Sequence, residues 1–338
     1  MQEKILIIGP SWIGDMIMAQ SLFKTLVDKR KDLTIDVLAP AWTMPLLARM
    51  PEVNKGIKFP VGHGQLQWKT RRSFGRQLQA ENYTQAIVLP NSLKSSLVPW
   101  MSKIPKRTGW RGEMRFGFLN DLRVLDKRRY PLMIERFVAL ALPRGATLPS
   151  PLPEPELIVD TSARDQTMAR LNLTKDSPIL VLCPGAEYGP AKRWPPSHFA
   201  EVAGWHLGKG GQVWIMGSEK DAVFATAIQQ HAPEAINLCG KTALGEAIDL
   251  MSLAQAVVSN DSGLMHVAAA LQRPLAAIYG SSAPTFTPPL SSHAEIVSLN
   301  LSCSPCFKRD CPLGHTNCLN QLSSQLVITA LQTQLARI

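Results

Sequence analysis

Short apolar runs alternate with amphipathic stretches along the chain, and this alternation constrains the fold more than any other feature. Predicted strands are Ile5–Ile8, Ile35–Leu38, Ala86–Leu89, Ile179–Leu182, Gln212–Met216, Ala256–Ser259 and Leu275–Tyr279. Predicted helices are Met16–Asp28, His198–Leu207, Ala222–Gln230, Leu244–Leu253, Leu264–Leu271 and Ser323–Arg337. Apolar strands that alternate with helices are typical of parallel sheets covered on both faces. We therefore predict an α/β fold.

The pattern is interrupted by a proline-rich interval, Pro143–Pro155, which has no periodicity. Such an interval is typical of a linker between domains. We predict two Rossmann-like domains, residues 1–150 and 151–338, that face a central cleft, with the last helix packing back on the first domain. Because open α/β sheets bind ligands at the carboxyl ends of their strands, we expect the functional residues in the loops that follow the strands.

The charge is distributed unevenly between these two domains. The 338 residues carry a formal net charge of +10. Residues 1–150 hold 24 basic and 11 acidic side chains, whereas residues 151–338 hold 12 and 15. Positive charge confined to one domain indicates an anionic partner, although a basic face can also serve solubility alone. No apolar run approaches the roughly 18 residues that a membrane-spanning helix needs, so we expect none.

The candidate for catalysis in the first domain is Asp15. It ends the segment GPSWIGD, which follows the opening strand and leads into a predicted helix. The segment lacks both the G-x-G-x-x-G spacing of a dinucleotide loop and the lysine of a P-loop. The helix dipole keeps a carboxylate in the first turn ionised, and there it can act as a general base. The alternative is that Asp15 only caps the helix.

The second domain has an anion-binding pattern after the strand Ala256–Ser259. The segment NDSGLMH opens the next helix and contains the candidates Asp261, Ser262, Gly263, Leu264 and His266. Asp261 or Ser262 can cap that helix, and Gly263 lets a ligand approach the free backbone N–H groups. This arrangement suits a pyrophosphate, with His266 near a phosphate or a sugar. An ordinary helix cap followed by a buried histidine is the alternative.

Two further loops of this domain carry charged candidates. A loop rich in glycine and proline follows Ile179–Leu182 and ends in Lys192 and Arg193, which can neutralise phosphate oxygens. After Gln212–Met216, Glu219 is placed to accept a ribose hydroxyl. Exposed cations on a loop and an acidic residue in a helix-capping box are the structural alternatives.

Four of the six cysteines fall within one short segment. They are Cys303, Cys306, Cys311 and Cys318, and the first two have the C-x2-C spacing of a metal-binding pair. The later spacings differ from those of a zinc ribbon. A structural zinc ion, free thiols and an oxidised pair therefore all stay open, and we assign these cysteines no role in catalysis.

Cations cluster in the first domain around the segment TGWRGEMRFGF. Lys106, Arg107, Arg111 and Arg115 are the candidates for contact with an anionic acceptor. Interleaved aromatic residues could also indicate nucleic acid, but no helix-turn-helix, zinc-finger or RNA-binding motif is present. We expect anionic sugars or phospholipid head groups rather than nucleic acid, and a nucleic-acid-binding module stays as the alternative.

Taken together, the motifs resemble those of the ADP-heptose:lipopolysaccharide heptosyltransferases of glycosyltransferase family 9, in particular the heptosyltransferase II group. The similar segments are IIGPSWIGDM, LPNSLKS, TGWRGEMR, CPGAEYGPAKRWP and SNDSGLMHVAAAL. The resemblance covers nearly the whole chain. It implies a two-domain GT-B fold and an inverting glycosyltransferase without a catalytic metal or cofactor. It also implies ADP-L-glycero-D-manno-heptose as the donor and the heptosyl-Kdo2-lipid A inner core of lipopolysaccharide as the acceptor.

Carried onto this chain, the resemblance assigns the catalytic aspartate to Asp15 and the donor-binding lysine to Lys192. It assigns the pyrophosphate-binding helix start to the segment from Asp261 to His266, and more loosely a ribose-binding acid to Glu219. It implies a cytoplasmic enzyme in peripheral contact with the inner face of the inner membrane, and we expect a monomer. A family member that uses a different core acceptor is the alternative. A nucleotide-sugar epimerase or dehydrogenase would need a dinucleotide fingerprint, which the chain lacks.

Overall fold

The computed structural model of the protein describes residues 3–30, 32–62 and 65–337. The chain divides into two compact units, Met1–Pro155 and Glu156–Ile338. This division falls at the end of the proline-rich interval, close to the predicted boundary between residues 150 and 151. Each unit contains a parallel six-stranded sheet among its described residues. The predicted α/β fold with two Rossmann-like domains is confirmed.

The described part of the first unit forms a single sheet. Its strands are β1 Lys4–Ile8, β2 Thr34–Ala39, β3 Lys55–Lys58, β4 Gln85–Val88, β5 Lys106–Trp110 and β6 Asp121–Arg123. Its helices are α1 Ile13–Lys29, α2 Met44–Leu47, α3 Trp68–Gln77, α4 Leu97–Met101 and α5 Met133–Ala141. The strand order is β3-β2-β1-β4-β5-β6, and every pairing is parallel.

The centre of this sheet explains why its sequence is apolar. In β1, Ile5, Leu6 and Ile7 have no exposed surface, because both faces of a central parallel strand are covered. The chain runs from β1 to β3 toward one edge of the sheet and from β4 to β6 toward the other. The loops after β1 and β4 therefore diverge at a topological switch point, where open α/β sheets bind ligands.

The second unit repeats this plan. Its strands are β7 Ile179–Cys183, β8 Gln212–Ile215, β9 Ile236–Asn237, β10 Ala256–Asn260, β11 Leu275–Ile278 and β12 Ala294–Val297. Its helices are α6 Thr161–Arg170, α7 Pro196–Leu207, α8 Ala222–Gln229, α9 Leu244–Met251, α10 Gly263–Ala270, α11 Asn317–Asn320 and α12 Ser324–Leu335. The strand order is β12-β11-β10-β7-β8-β9, and all pairings are parallel. Across the described residues of both units, no helix has both the length and the apolarity needed to cross a membrane.

The core of the second unit lies between the central strands and the helices around them. Leu180, Val213 and Val258, from three neighbouring strands, are fully buried in one cluster with Phe199 of α7. The last helix, α12, packs on β11, β12 and α7 of its own unit, and its contact with the first domain stays a prediction. The switch point of this sheet lies between β7 and β10. The loops that carry Lys192 and Asp261 begin at these two strands.

Five of the twelve strands in the described residues were not predicted from the sequence: β3, β5, β6, β9 and β12. Four of them are the edge strands of the two sheets. An edge strand is less covered than a central one, so it does not need a continuous apolar run. β3, for example, has the sequence KGIK, and three of its four residues are exposed. The unpredicted β5 begins with Lys106 and Arg107 for a related reason, because it lies next to an edge.

Candidate active site

Asp15 lies in the first turn of α1. Trp12, not Asp15, occupies the N-cap position, and its side chain forms no capping hydrogen bond. The capping alternative for Asp15 stays open. Gly9 lies close to this helix and to β2, because a Cβ at this position would come within 2.6 Å of the Met16 side chain and 3.3 Å of the Ala39 Cβ. The Asp15 carboxylate is half-buried, and the helix dipole favours its ionised form. This is the position that the general-base hypothesis requires, and the catalytic role itself stays a prediction.

Lys192 and Asp261 form an ion pair, although they are 69 residues apart in the chain. The distance from Lys192 Nζ to Asp261 Oδ2 is 2.5 Å, and the side chains are only 17% and 6% exposed. The hydroxyl of Ser282, in the loop after β11, donates to the same carboxylate oxygen. Low exposure strengthens the attraction between the two charges. The structure thus brings together two of the predicted donor-binding residues at the switch point of the second sheet.

Asn260, at the end of β10, holds the Lys192 loop against this switch point. Its side chain is fully buried. The side-chain oxygen accepts from the backbone N–H of Trp194 at 3.1 Å, and the side-chain nitrogen donates to the carbonyl of Pro184 at 2.7 Å. Both ends of the loop are therefore tied to β10. No role was predicted for Asn260 from the sequence, although an amide at the end of a buried apolar strand is a recognisable signal.

The N-terminus of α10 has the form of an anion site. Ser262 is the N-cap residue, but its side chain does not bond to the first-turn N–H groups. The Ser262 hydroxyl lies 3.3 Å from that of Ser259 instead. Gly263 and Leu264 are only partly buried. Backbone donors without a side-chain cap, together with the positive end of the helix dipole, favour a phosphate group at this position.

His266 lies one turn into α10 and is 5% exposed. Burial lowers the pKa of His266 to about 4; the nearby Asp261 opposes this shift and Lys192 adds to it. The imidazole is therefore neutral at pH 7. It can donate or accept a hydrogen bond, but it contributes no positive charge to a bound phosphate.

Glu219 follows β8 and is exposed in a short 3-10 turn, Glu219–Asp221. The helix-capping box expected here is present, but Asp221 forms it: its carboxylate accepts from the backbone N–H of Ser218 at 2.9 Å and from the Ser218 hydroxyl at 2.7 Å. Asp221, and not Glu219, therefore has the helix-capping role that was the structural alternative for Glu219. Its predicted contact with a ribose stays a prediction.

A segment on the C-terminal side of β12 braces the Lys192 loop. The Tyr188 hydroxyl donates to the carbonyl of Phe307 at 2.9 Å, and Arg309 Nε donates to the carbonyl of Tyr188 at 2.6 Å. The backbone N–H of Ala191 donates to the carbonyl of Arg309 at 3.0 Å. Lys192 Nζ lies 5.2 Å from the centre of the Tyr188 ring. Tyr188 and Lys192 share the Tyr-x3-Lys spacing of some dehydrogenases, but here the hydroxyl is occupied by a structural hydrogen bond.

The four clustered cysteines are free thiols. Cys303 is exposed and the other three are half-buried. In residues 3–30, 32–62 and 65–337, no three His, Cys, Asp or Glu side chains are grouped so that they could hold a metal ion. The Cys311 sulfur accepts instead from the backbone N–H of Thr316 at 3.4 Å. The structure therefore does not support the predicted zinc site.

The basic cluster of the first unit divides into buried and exposed cations. Arg115 has no exposed surface, and its guanidinium donates to the carbonyls of Pro90 and Trp110. Burial lowers the pKa of Arg115 to about 10. The prediction that Arg115 binds an acceptor is wrong, because an enclosed side chain cannot contact a ligand.

The other three cations of that cluster differ in exposure. Arg107 is half-buried and donates to the carbonyls of Phe118 and Ile104 at 2.6 and 2.5 Å, so its guanidinium also serves the fold. Lys106 and Arg111 are exposed. A contact between these two residues and an acceptor stays a prediction.

Comparison with known proteins gives a consistent result across the chain. Residues 71–317 match the family described as Glycosyltransferase family 9 (heptosyltransferase). The chain is 48% identical to lipopolysaccharide heptosyltransferase 2 of Escherichia coli K12, over 98% of both chains. It is also 48% identical to lipooligosaccharide heptosyltransferase 2 of Haemophilus influenzae, over 87% of this chain and 88% of that protein. The solved structure of E. coli ADP-heptose lipopolysaccharide heptosyltransferase II superposes with a TM-score of 0.88 at 46% identity, covering 99% of each chain.

Proposed function

Since the chain belongs to glycosyltransferase family 9, the heptosyltransferases, we propose that it transfers L-glycero-D-manno-heptose from ADP-heptose to the heptosyl-Kdo2-lipid A inner core of lipopolysaccharide. The observation that carries this proposal is the Lys192–Asp261 pair beside the uncapped N-terminus of α10. Proteins that are 46–48% identical over nearly the full length carry the heptosyltransferase 2 name, which supports this donor and this pathway. The nucleic-acid alternative is not favoured.

The donor diphosphate would bind at the switch point of the second unit. Its oxygens would accept from the first-turn N–H groups of α10, at Gly263 and Leu264, and from Lys192. Asp261 orients the Lys192 ammonium toward this position through the 2.5 Å ion pair. When ADP departs, negative charge develops on the phosphate, and prearranged protein donors stabilise it. Lysine and the helix N-terminus can thus supply charge neutralisation from the protein itself.

The remaining donor contacts involve the sugar ends of ADP-heptose. Glu219, exposed after β8, would accept a hydrogen bond from a ribose hydroxyl. His266 lies one turn from the proposed phosphate position. It is neutral because burial lowers its pKa to about 4, so it would contribute a hydrogen bond rather than a charge.

Asp15 would activate the acceptor in a single displacement. The carboxylate takes the proton of the acceptor heptose hydroxyl, and the hydroxyl oxygen forms a bond to the anomeric carbon of the donor. The bond from that carbon to the phosphate oxygen breaks at the same time, and ADP leaves with its electron pair. One displacement inverts the configuration at the anomeric carbon. In this proposal, Asp15 of the first unit serves the acceptor, and residues of the second unit serve the donor.

The acceptor also sets the place where the enzyme would work. We place it in the cytoplasm as a monomer, in peripheral contact with the inner face of the inner membrane, where a lipid A-linked acceptor is held. The excess of basic side chains in the first half, 24 against 11 acidic, supports this, because cations attract anionic lipids and core sugars.

The test is incubation of the purified protein with ADP-heptose and a set of truncated core acceptors, followed by mass analysis. We expect the heptosyl-Kdo2-lipid A acceptor to gain one heptose and ADP to be released in equal amount. A gain on a different core acceptor alone would replace the proposed acceptor. No gain on any of them, from a protein that still binds ADP, would contradict the function.

A further inference from the structure

The first unit contains a pocket of about 150 Å³ at the carboxyl ends of β3, β2, β1 and β4. The side chains that matter for its chemistry are Ser11, Trp42, Phe59, Arg71, Ser92 and Lys94. Ser11 belongs to the loop between β1 and α1, four residues before Asp15. The pocket is smaller than the ~300–1,000 Å³ of sites that bury a drug-sized ligand. It suits one sugar unit or one charged group rather than a nucleotide.

The charge of this pocket is positive and not balanced. Among its described lining residues, two are cations, Arg71 and Lys94, and none is a carboxylate. Arg71 is 4% exposed, yet no carboxylate of the described residues forms an ion pair with it. Three backbone carbonyls hold its guanidinium instead, those of Leu66 at 2.5 Å, Gln65 at 3.0 Å and Lys94 at 3.1 Å. A buried cation without a counter-charge attracts an anion to the space that it lines.

The guanidinium is also fixed in place. It lies over the ring of Phe59, with 4.8 Å between Arg71 Cζ and the ring centre. Burial lowers the pKa of Arg71, but arginine stays protonated at neutral pH. Because the carbonyl of Lys94 accepts from Arg71, the two cations are linked through the backbone as well as through the pocket.

An aromatic ring borders the same space. Trp42 follows β2 and is half exposed, and its indole N–H donates to the carbonyl of Ser11 at 2.9 Å. That hydrogen bond uses the only polar group of the ring and holds the ring in place, so the ring contributes an apolar surface to the pocket. A ring beside two cations and three serines, Ser11, Ser92 and Ser95, matches the chemistry of a sugar that carries an acidic group.

We propose that this pocket binds an anionic sugar unit of the acceptor, through Arg71, Lys94 and Trp42, and so sets the position of the acceptor relative to Asp15. The inference rests on the proposed function, since it names the part of the acceptor that the first unit binds. A sugar carboxylate and a phosphate on a core sugar share the required chemistry. Neither Arg71 nor Lys94 was among the acceptor-binding residues predicted from the sequence.

The main test uses Lys94→Met, which removes the charge and keeps most of the side-chain length. We expect the KM for the acceptor to rise about tenfold or more, as loss of a charged contact worth ~1.4 kcal/mol predicts. The KM for ADP-heptose and the affinity for ADP should not change. Lys127→Met, which removes an exposed cation outside this pocket, is the matched control and should leave all three values unchanged. Arg71 is not the primary variant, because its three carbonyl contacts also serve the fold.

Modified acceptors separate the two sources of negative charge. If the pocket binds a carboxylate, wild type and Lys94→Met should have the same KM for an acceptor whose carboxylates are methyl-esterified. If the pocket binds a phosphate, the difference in KM between the two proteins should vanish for a dephosphorylated acceptor. A tenfold difference that survives both modifications, or an equal rise in the KM of both substrates, would overturn the proposal.

A binding titration keeps this test independent of heptose transfer. Free 3-deoxy-D-manno-octulosonic acid and a heptose phosphate are titrated separately, with tryptophan fluorescence as the readout. We expect one of them to change the fluorescence of the wild type, and to change that of Lys94→Met much less. Binding in the absence of transfer would contradict the proposed function but not the pocket. Lack of binding by both compounds, or equal binding to wild type and Lys94→Met, would overturn the pocket.

Discussion

The two sheets present the carboxyl ends of their strands in the same way, but the loops there carry charge differently. In the second unit, the Lys192 ammonium is balanced by Asp261 at 2.5 Å, and His266 is neutral. In the first unit, Arg71 and Lys94 line a pocket whose described lining includes no carboxylate. The Lys192–Asp261 pair is thus internally neutral, whereas the lining of the pocket in the first unit is positively charged. A count of basic residues therefore does not locate an anion site, since Arg115, from the basic segment TGWRGEMRFGF, is buried and bonded to carbonyls.

This difference in charge suggests that the two edges bind their ligands in different ways. The second edge relies on directed hydrogen bonds from α10 and on a lysine held in position by its partner, which suits a leaving group whose charge grows during the reaction. The first edge attracts a ligand that already carries its charge and keeps it throughout. The predictions below test this division.

The largest effect is expected at Asp15. Replacing it with Ala removes the group assigned to take the acceptor proton, so turnover should fall at least roughly a hundredfold. ADP affinity, measured by calorimetry, should stay within about twofold, because the donor residues belong to the second unit. Asp15→Asn controls for side-chain volume and should be as slow as the Ala variant. Turnover close to that of the wild type in either variant would remove Asp15 from the mechanism.

The charge balance of the donor edge is tested by Lys192→Ala. Because this change leaves Asp261 buried without its partner, ADP affinity should fall by more than the loss of one contact, roughly 30-fold or more. The double variant Lys192→Ala with Asp261→Asn removes the unpaired negative charge and should recover part of that loss. The measurement is ADP calorimetry on the three proteins. If the double variant binds more weakly than Lys192→Ala, the ion pair does not balance this edge.

The pH dependence of stability tests whether His266 is neutral. The folded pKa of His266, about 4, is below the ordinary value of 6.5. Between these two pH values, the imidazole binds a proton in the unfolded chain but not in the folded protein. The stability gained by keeping the imidazole neutral is therefore present above pH 6.5 and is lost as the pH falls toward 4. Between pH 7.5 and 5, urea unfolding should show a loss of about 2 kcal/mol from this residue.

His266→Gln should lose correspondingly less stability over the same pH range. His231→Gln, at an exposed position on the same unit, is the matched control and should follow the wild type. If His266→Gln follows the wild type as well, the imidazole is charged in the folded protein, and the donor edge is not neutral.

The smallest effect is expected at Arg309. Its side chain donates to the carbonyl of Tyr188 at 2.6 Å and helps to brace the Lys192 loop, but the backbone bond from Ala191 to the Arg309 carbonyl remains in any variant. Arg309→Ala should weaken ADP binding only about fivefold, as loss of ~1 kcal/mol predicts. Lys308→Ala, next to it and exposed, should bind ADP like the wild type. A change in the acceptor KM instead would mean that this segment serves the other substrate.

Much of the fold follows from the sequence, because the central strands are buried on both faces. Ile5–Ile8 and Ile179–Leu182 were recognisable as apolar runs for that reason. The edge strand KGIK of β3 gave no such signal, since its exposed side chains have no need to be apolar. The helices α1, α7, α8, α9, α10 and α12 were predicted to within a few residues at each end, whereas α2 to α6 and α11 were not predicted.

The candidate site was predictable only in part. Asp15, Lys192 and Asp261 were recognisable because they lie in loops or helix starts that follow buried strands. The contact between Lys192 and Asp261 was not, since it depends on β7 and β10 lying side by side, a pairing that no local pattern encodes. Arg71 and Arg115 look alike in the sequence. Burial against carbonyls beside a cavity distinguishes Arg71, and only the packed structure reveals it.

The central claim is that each unit serves one substrate, and a single comparative kinetic measurement tests it. The acceptor KM and the ADP dissociation constant are determined for Lys94→Met and Lys192→Ala at the same ionic strength. The account predicts a crossed pattern: Lys94→Met raises only the acceptor KM, and Lys192→Ala weakens only ADP binding. If both variants alter the same constant, or if each alters both equally, the two edges do not divide the substrates between them.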